Sequence, residues 1–175
     1  MKVLVVYSSG YGATKEVADE ISRILSAEKT IEVTSLSLTY GIDLSVYEAV
    51  VIGTSVRAGH VLAITRDFIA EHHFELREKK VALFVVSLTG HCQEGREKVT
   101  REYIAPLQQR YPNIQFSPVA AFGGKIDFQR LNPVMKRLAI KVMQEKGLSG
   151  ETGLDYRDWG IIRNWATNLQ NELSN

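Results

Sequence analysis

The sequence predicts one α/β domain, a doubly wound five-stranded parallel sheet in the order 2-1-3-4-5, with a basic helical insertion after strand five. Three observations predict it. Short apolar runs alternate with helix-period segments along the chain, which is the signature of a parallel sheet covered on both faces. The first run opens into a loop of hydroxyls and glycines that leads into a helix, where ligands bind in such sheets. The 175 residues suit one core, and no internal repeat or low-complexity linker divides them, so residues 1–175 read as a single domain.

Taken in order, the strands are residues 2–7, 31–37, 48–54, 80–87 and 115–122. Residues 14–27 repeat Val17, Ile21, Ile24 and Leu25 on one helical face. Strands two and three are joined too closely for a full helix. Residues 62–72, with Leu62, Phe68 and Ile69, and residues 95–109 supply the next two helices. His72 and His73 close the first of these, where a cation favours the negative end of the dipole. The last helix, about 158–173, carries Trp159, Ile162, Trp165, Ala166 and Leu169 at helical spacing. In this strand order the winding reverses between strands one and three, so their carboxyl ends should hold the ligand.

The loop after strand one reads Ser8-Ser9-Gly10-Tyr11-Gly12-Ala13-Thr14. Its glycines let successive N–H groups converge, and the helix adds the positive end of its dipole. With donors from Ser8, Ser9 and Thr14, the loop can hold a phosphate without a lysine. Spacing tests the better-known alternatives. A Walker A loop ends in Gly-Lys-Ser/Thr, whereas this chain has Gly12-Ala13-Thr14-Lys15. A dinucleotide fingerprint needs a third glycine where this chain has Lys15, and an acidic residue where it has Leu38 and Thr39. The pattern that remains, Ser9-x-x-Gly12-x-Thr14, resembles the FMN phosphate loop of the flavodoxin-like fold. An ordinary Ser/Gly turn before a helix is the alternative.

Two more loops should complete the pocket. They are Thr54-Ser55-Val56-Arg57-Ala58-Gly59-His60 after strand three and Ser87-Leu88-Thr89-Gly90-His91 after strand four. Their small residues let a flat ring lie close to the backbone. Arg57 suits an anionic flavin or substrate, and His60 can exchange a proton near neutral pH. The structural alternatives are a surface arginine and a loop-capping histidine.

Composition narrows the function classes. A net charge of +1 gives no basic excess for nucleic acid. The four histidines lack metalloprotease spacing and no Gly-x-Ser-x-Gly elbow is present, so neither a metal site nor a hydrolase is expected. The single cysteine, Cys92, excludes an internal disulfide and reads as packing. No apolar run is long enough to span a bilayer, and the N-terminal run passes straight into the first loop rather than reading as a signal peptide. A cytoplasmic protein is expected.

After strand five, residues 124–157 form the insertion. Asn132 as cap, Pro133 at the first helical position and Gly147 as stop predict a helix over 133–146. Leu131, Met135, Leu138 and Val142 share one face, with Lys136, Arg137 and Lys141 largely elsewhere. Lys125 to Lys146 contains six basic and two acidic residues, a local +4 that leaves −3 for the rest of the chain. Such a helix can lie on an anionic membrane, close over an anionic ligand, or pack with a solvated basic face.

Four places now carry a family resemblance: the Ser8–Thr14 loop, the Ser55-Val-Arg-Ala-Gly-His60 motif, the basic insertion, and Ser149-Gly-Glu-Thr152 followed by Asp158-Trp159. Over nearly its whole length the chain resembles the flavodoxin-like, menaquinone-dependent protoporphyrinogen IX dehydrogenases. The resemblance implies FMN at the three loops and six-electron oxidation of protoporphyrinogen IX to protoporphyrin IX, with electrons passed to a quinone. It implies Ser9, Gly12 and Thr14 at the FMN phosphate, and backbone groups of Ala13 and Thr54–Gly59 at the ribityl chain and ring. His60 becomes the proton route, and Arg57, Lys125 and Arg130 the cations for substrate propionates. Residues 125–147 would make any peripheral contact with the inner face of the cell membrane. The chain departs from the family pattern at Ser87-Leu-Thr-Gly-His-Cys92 and in the few aromatics of its insertion, Phe128 lying near the start. The rivals are a flavodoxin-type electron carrier, a quinone reductase and a non-catalytic binding module. Carriers of this fold dock through acidic surfaces, so a balanced charge with a basic insertion favours an enzyme.

Overall fold

The computed structural model describes residues 1–145, 147 and 153–174; the Ser149–Thr152 motif and the side chains of Arg130 and Val142 lie outside the described residues. The first unit is β1 (Lys2–Ser8), α1 (Ala13–Leu25) and β2 (Glu32–Ser37). After a helix-free connection come β3 (Ala49–Arg57), β4 (His60–Val61), α2 (Ala63–Glu71), α3 (His73–Leu76) and β5 (Lys80–Ser87). Next are α4 (Gln93–Val99), α5 (Ala105–Arg110) and β6 (Phe116–Gly123). The insertion contains β7 (Lys125–Asp127), α6 (Pro133–Glu145) and β8 (Gly153–Asp155), and α7 (Trp159–Ser174) ends the fold.

The main sheet runs β2-β1-β3-β5-β6, all parallel, with β4 as a short antiparallel addition to β3. This is the flavodoxin-like order expected from the sequence. β1 is apolar on both faces because both are covered. Leu4 and Val6 join a core with Phe68, Ile69, Val99 and Ile104, on the α2, α4 and α5 side. Val3 and Val5 join Val17, Ile21, Ile162 and Leu169, on the α1 and α7 side. Val17, Ile21 and Leu25 of α1 are fully buried, each contributing roughly 1.5–3 kcal/mol of apolar burial.

Three elements depart from the sequence expectation. β3 continues past residue 54 to Arg57, because cross-strand pairing of Val56 with Val61 and Arg57 with His60 extends it beyond the apolar run. The expected helix at 95–109 starts at Gln93 and carries a π segment, Thr100–Ile104. Pro106, in the first turn of α5, has no N–H and would clash with the preceding turn; a widened turn accommodates it. The helix closed by the two histidines breaks at His72, which is buried with Nδ1 2.8 Å from Glu75 Oε1.

Inside the insertion, β7 and β8 pair antiparallel, Lys125 with Asp155, Ile126 with Leu154 and Asp127 with Gly153. Strands of three residues are too short to show a period, so the sequence reading lacks them. The Asn132 cap is as read, its Oδ1 accepting the Met135 N–H at 2.8 Å; Asp158 Oδ1, which accepts the Ile161 N–H at 3.0 Å, caps α7 as well. Among the described residues, no helix is long and apolar enough to cross a membrane.

Candidate active site

A cavity of about 230 Å³ lies at the carboxyl ends of β1, β3 and β5, under the insertion. The loop between β1 and α1 lines it with Ser9, Gly10, Tyr11, Ala13 and Thr14. The β3–β4 hairpin contributes Ser55, Val56, Arg57 and Ala58, and the end of β5 contributes Val86, Ser87 and Leu88. The insertion closes the opposite side with Lys125, Ile126, Asp127, Leu131, Met135, Leu138 and Ala139. The apolar face of α6 therefore covers the cavity, while Lys136, Arg137 and Lys141 are exposed.

The phosphate loop is shaped by Gly12, whose φ of +93° lets the chain turn directly into α1. The Gly12 N–H donates to Ser9 Oγ at 2.9 Å, leaving the Ser9 hydroxyl proton for another acceptor. α1 starts without a side-chain cap, so its first amides are left to a ligand. Thr14 Oγ1, in a fully buried residue, has no hydrogen-bond partner. A buried hydroxyl left unpaired costs about 1–3 kcal/mol, and an oxyanion at the helix start would satisfy it. The residues fit a phosphomonoester.

Ser8 and Thr54 have a different place. Ser8 Oγ lies 3.0 Å from Thr54 Oγ1 and 2.6 Å from Thr65 Oγ1, and all three residues are buried. This hydroxyl triangle ties β1, β3 and α2 together beneath the loops rather than facing the cavity. Gly90 also packs, since a Cβ there would stand 2.5 Å from the Phe122 carbonyl oxygen. Leu88–His91 forms a 3₁₀ turn in which Thr89 N–H donates to Ser87 Oγ and His91 Nδ1 lies 3.0 Å from the Leu88 carbonyl oxygen. Cys92 follows as an exposed helix cap, its Sγ accepting from the Gly95 N–H.

The β3–β4 turn places Ala58 at φ +48° and Gly59 at φ +76°, the two positive values of a type I′ hairpin. Arg57 and His60 are cross-strand partners at its tip, both exposed, so their side chains leave the same face of the ribbon. Arg57 Nη2 donates to Tyr11 Oη at 3.0 Å, with the guanidinium 5.4 Å from the Tyr11 ring centre. This pair spans the cavity mouth from hairpin to phosphate loop. Lys125 lines the cavity, with its ammonium 3.7 Å from Glu16 Oε1 in the first turn of α1.

The strand order, the uncapped helix and the unpaired Thr14 hydroxyl are now joined by direct similarity. The model of a flavodoxin domain matches residues 4–153. The chain belongs to the flavodoxin-domain family. FMN is its cofactor, and its chemistry is that of an oxidoreductase. Over 176 residues the chain is 30% identical to protoporphyrinogen IX dehydrogenase (quinone) of Leishmania major, covering 96% of this chain and 74% of that protein. Over 174 residues it is 25% identical to the protein of the same name from Escherichia coli strain K12, covering 97% and 94%. The family indicated by the motifs is thus the family to which the chain belongs. Among solved structures, an archaeal flavodoxin superposes with a TM-score of 0.60 at 18% identity, covering all of both chains. Megasphaera elsdenii flavodoxin gives 0.52 at 21% identity, covering 69% of this chain and 82% of that one. Both share the fold.

Sequence reasoning missed Leu62, Val86, Gly124, Ile126, Asp127 and Ala139 as cavity residues. Leu62 and Val86 read as helix and strand positions only. Asp127 sits in a strand too short to see, and its Oδ1 accepts the Gln129 N–H at 3.0 Å.

Proposed function

We propose that this flavoprotein oxidises protoporphyrinogen IX to protoporphyrin IX and passes the electrons to a quinone. The observation that carries the reading is a roofed, largely apolar cavity with Arg57 at its mouth and His60 as the cross-strand partner of Arg57. An apolar macrocycle with anionic propionates suits an apolar interior with a cation at the rim. The two relatives that bear that activity in their names, matched over nearly all of this chain, support the same substrate.

FMN, when bound, supplies the ring that accepts hydride equivalents. Ser9, Gly12, Thr14 and the first amides of α1 hold its phosphate, and backbone groups from Ala13, Ser55–Gly59 and the Ser87–His91 turn hold the ribityl chain and ring. Arg57 exchanges Tyr11 Oη for a propionate. His60, on the same face of the hairpin, accepts a proton as the macrocycle is oxidised and releases it to solvent. Lys125 and Arg130 add positive charge along the insertion. The exposed Val134 and Ile140, beside Lys136, Arg137 and Lys141, suit a peripheral approach to an anionic membrane where a quinone resides.

Protein reconstituted with FMN should produce porphyrin fluorescence from protoporphyrinogen IX, faster with a menaquinone analogue. No enzyme-dependent rise in either case overturns the reading. Quinone reduction from another donor without that rise would mark a quinone reductase, and flavin reduction with neither a carrier.

A further inference from the structure

Arg157 lies just after β8, outside the cavity, with its side chain only 3% exposed. Its Nε and Nη2 engage the two oxygens of Asp155, at 2.8 and 2.6 Å. Its Nη1 donates to Glu16 Oε2 at 2.6 Å, and the guanidinium stacks 4.7 Å from the Trp159 ring centre. Lys125, from β7, meets the other oxygen of the same Glu16 at 3.7 Å. Both strands of the insertion thus converge on one carboxylate, 141 residues from Arg157 and two residues after Thr14. The backbone alongside is close-packed: Tyr156 N–H donates to the Gly124 carbonyl oxygen at 3.0 Å, and a Cβ on Gly123 would meet Tyr156 O at 1.9 Å.

A buried guanidinium with three oriented bonds is held at one geometry, unlike a surface lysine pair. Here it fastens the roof of the cavity to the helix whose first turn ends the phosphate loop. We infer that Arg157 is a positioning residue: its bond to Glu16 latches the insertion over the cavity and sets how fast FMN leaves. The inference uses FMN as cofactor and is independent of the substrate.

Two variants separate a latch from a through-space charge effect. Arg157→Ala removes a cation, and Glu16→Ala removes an anion from the phosphate end. A field effect on the FMN phosphate would therefore speed release in the first and slow it in the second. A latch is broken by either, so both should speed FMN release, by about tenfold, and the double variant should be no faster than the faster single one. Arg157→Lys keeps the charge but cannot serve Asp155 and Glu16 together, and should recover only part of the rate. The second readout needs no ligand: hydrogen exchange at the Leu154 amide of the FMN-free protein should quicken in both single variants. Opposite changes in the two release rates, or release and exchange both within twofold of the wild type, would overturn the latch. If Arg157→Ala does not fold, Arg157→Lys and Glu16→Ala carry the same comparison.

Discussion

The floor and the roof of the cavity are held by different physics. Under the floor, Ser8, Thr54 and Thr65 form a closed hydroxyl triangle with all three residues buried, on strands whose side chains are almost wholly removed from water. The roof is a two-strand ribbon and one helix, tied to α1 by the Arg157 and Lys125 contacts to Glu16. Val134 and Leu138 of the roof helix remain 75% and 52% exposed. On the proposed reading the floor supplies the contacts to the FMN phosphate, whereas the added layer governs passage into and out of the cavity.

The sharpest break of that comparison is Arg57→Ala. Charged hydrogen bonds are worth about 1.5–3 kcal/mol, so kcat/KM for protoporphyrinogen should fall by roughly 10- to 100-fold, mostly through KM. FMN affinity should stay within about twofold, since Arg57 stands at the mouth rather than at the phosphate end. Steady-state kinetics and flavin titration on the same preparation check both halves. Parallel losses would mean that floor and mouth are not separable.

Gly123→Ala acts at the seam, where its Cβ would overlap the Tyr156 carbonyl oxygen, a backbone atom that cannot rotate away. Overpacking of this kind costs about 1–3 kcal/mol, and a melting temperature lowered by roughly 2–12 °C should follow. Thermal unfolding followed by circular dichroism measures it. A neutral result would show that the roof slides freely over the end of β6.

The same division explains what was legible in the sequence. Val3 to Val6, Val17, Ile21 and Leu25 are buried on regular periods, so the floor's strands and first helix could be read directly, and Ser9 and Thr14 could be placed by the loop between them. Helix α6 was legible too, because Asn132, Pro133 and Gly147 punctuate it. What the period could not carry is the side on which an element lands. Ser8 looked like a phosphate donor and Thr54 like the start of the loop around the ribityl chain and ring, but strand alternation turns both side chains into the sheet. Asp127, Ile126 and Arg157 owe their places to the β7–β8 pairing, which is invisible in two segments of three residues, and Arg157 finds Glu16 only through the tertiary fold.

Within the floor, Thr14→Val tests the cofactor end alone. The change keeps the branched shape and removes a hydroxyl that has no protein partner. FMN should bind about tenfold more weakly, equivalent to roughly 1.4 kcal/mol, while the FMN-free protein loses nothing and gains a little stability from the removal of an unsatisfied buried group. Fluorescence titration and apo-protein melting together decide it. Unchanged FMN affinity would place the phosphate away from Thr14.

The smallest effect lies behind the floor, where Glu20 on α1 meets Arg23 at 2.8 Å and Arg163 of α7 at 2.6 Å. Its hydrogen bonds to Arg23 and then Arg163 hold the carboxyl down from 4.5 to about 2. A folded value below the unfolded one means that the unfolded chain takes up the proton first as the pH falls. The stabilisation is therefore complete above about pH 4.5 and is lost towards pH 2. Both arginines are more than half exposed, so screening keeps the contribution under about 1 kcal/mol. Glu20→Gln should flatten this limb. Urea unfolding of the two proteins between pH 7 and pH 3 should show their stability difference shrinking with acid, and a constant difference would show that the pair braces α1 against α7 by packing alone. In the roof, the Arg157 guanidinium likewise holds the Asp155 carboxyl below the usual carboxylate range. Acid should therefore loosen both layers, but hydrogen exchange at Leu154 should respond to protonation of Asp155 and not to Glu20→Gln, because the hydrogen bonds of Glu20 go to Arg23 and Arg163, away from the ribbon.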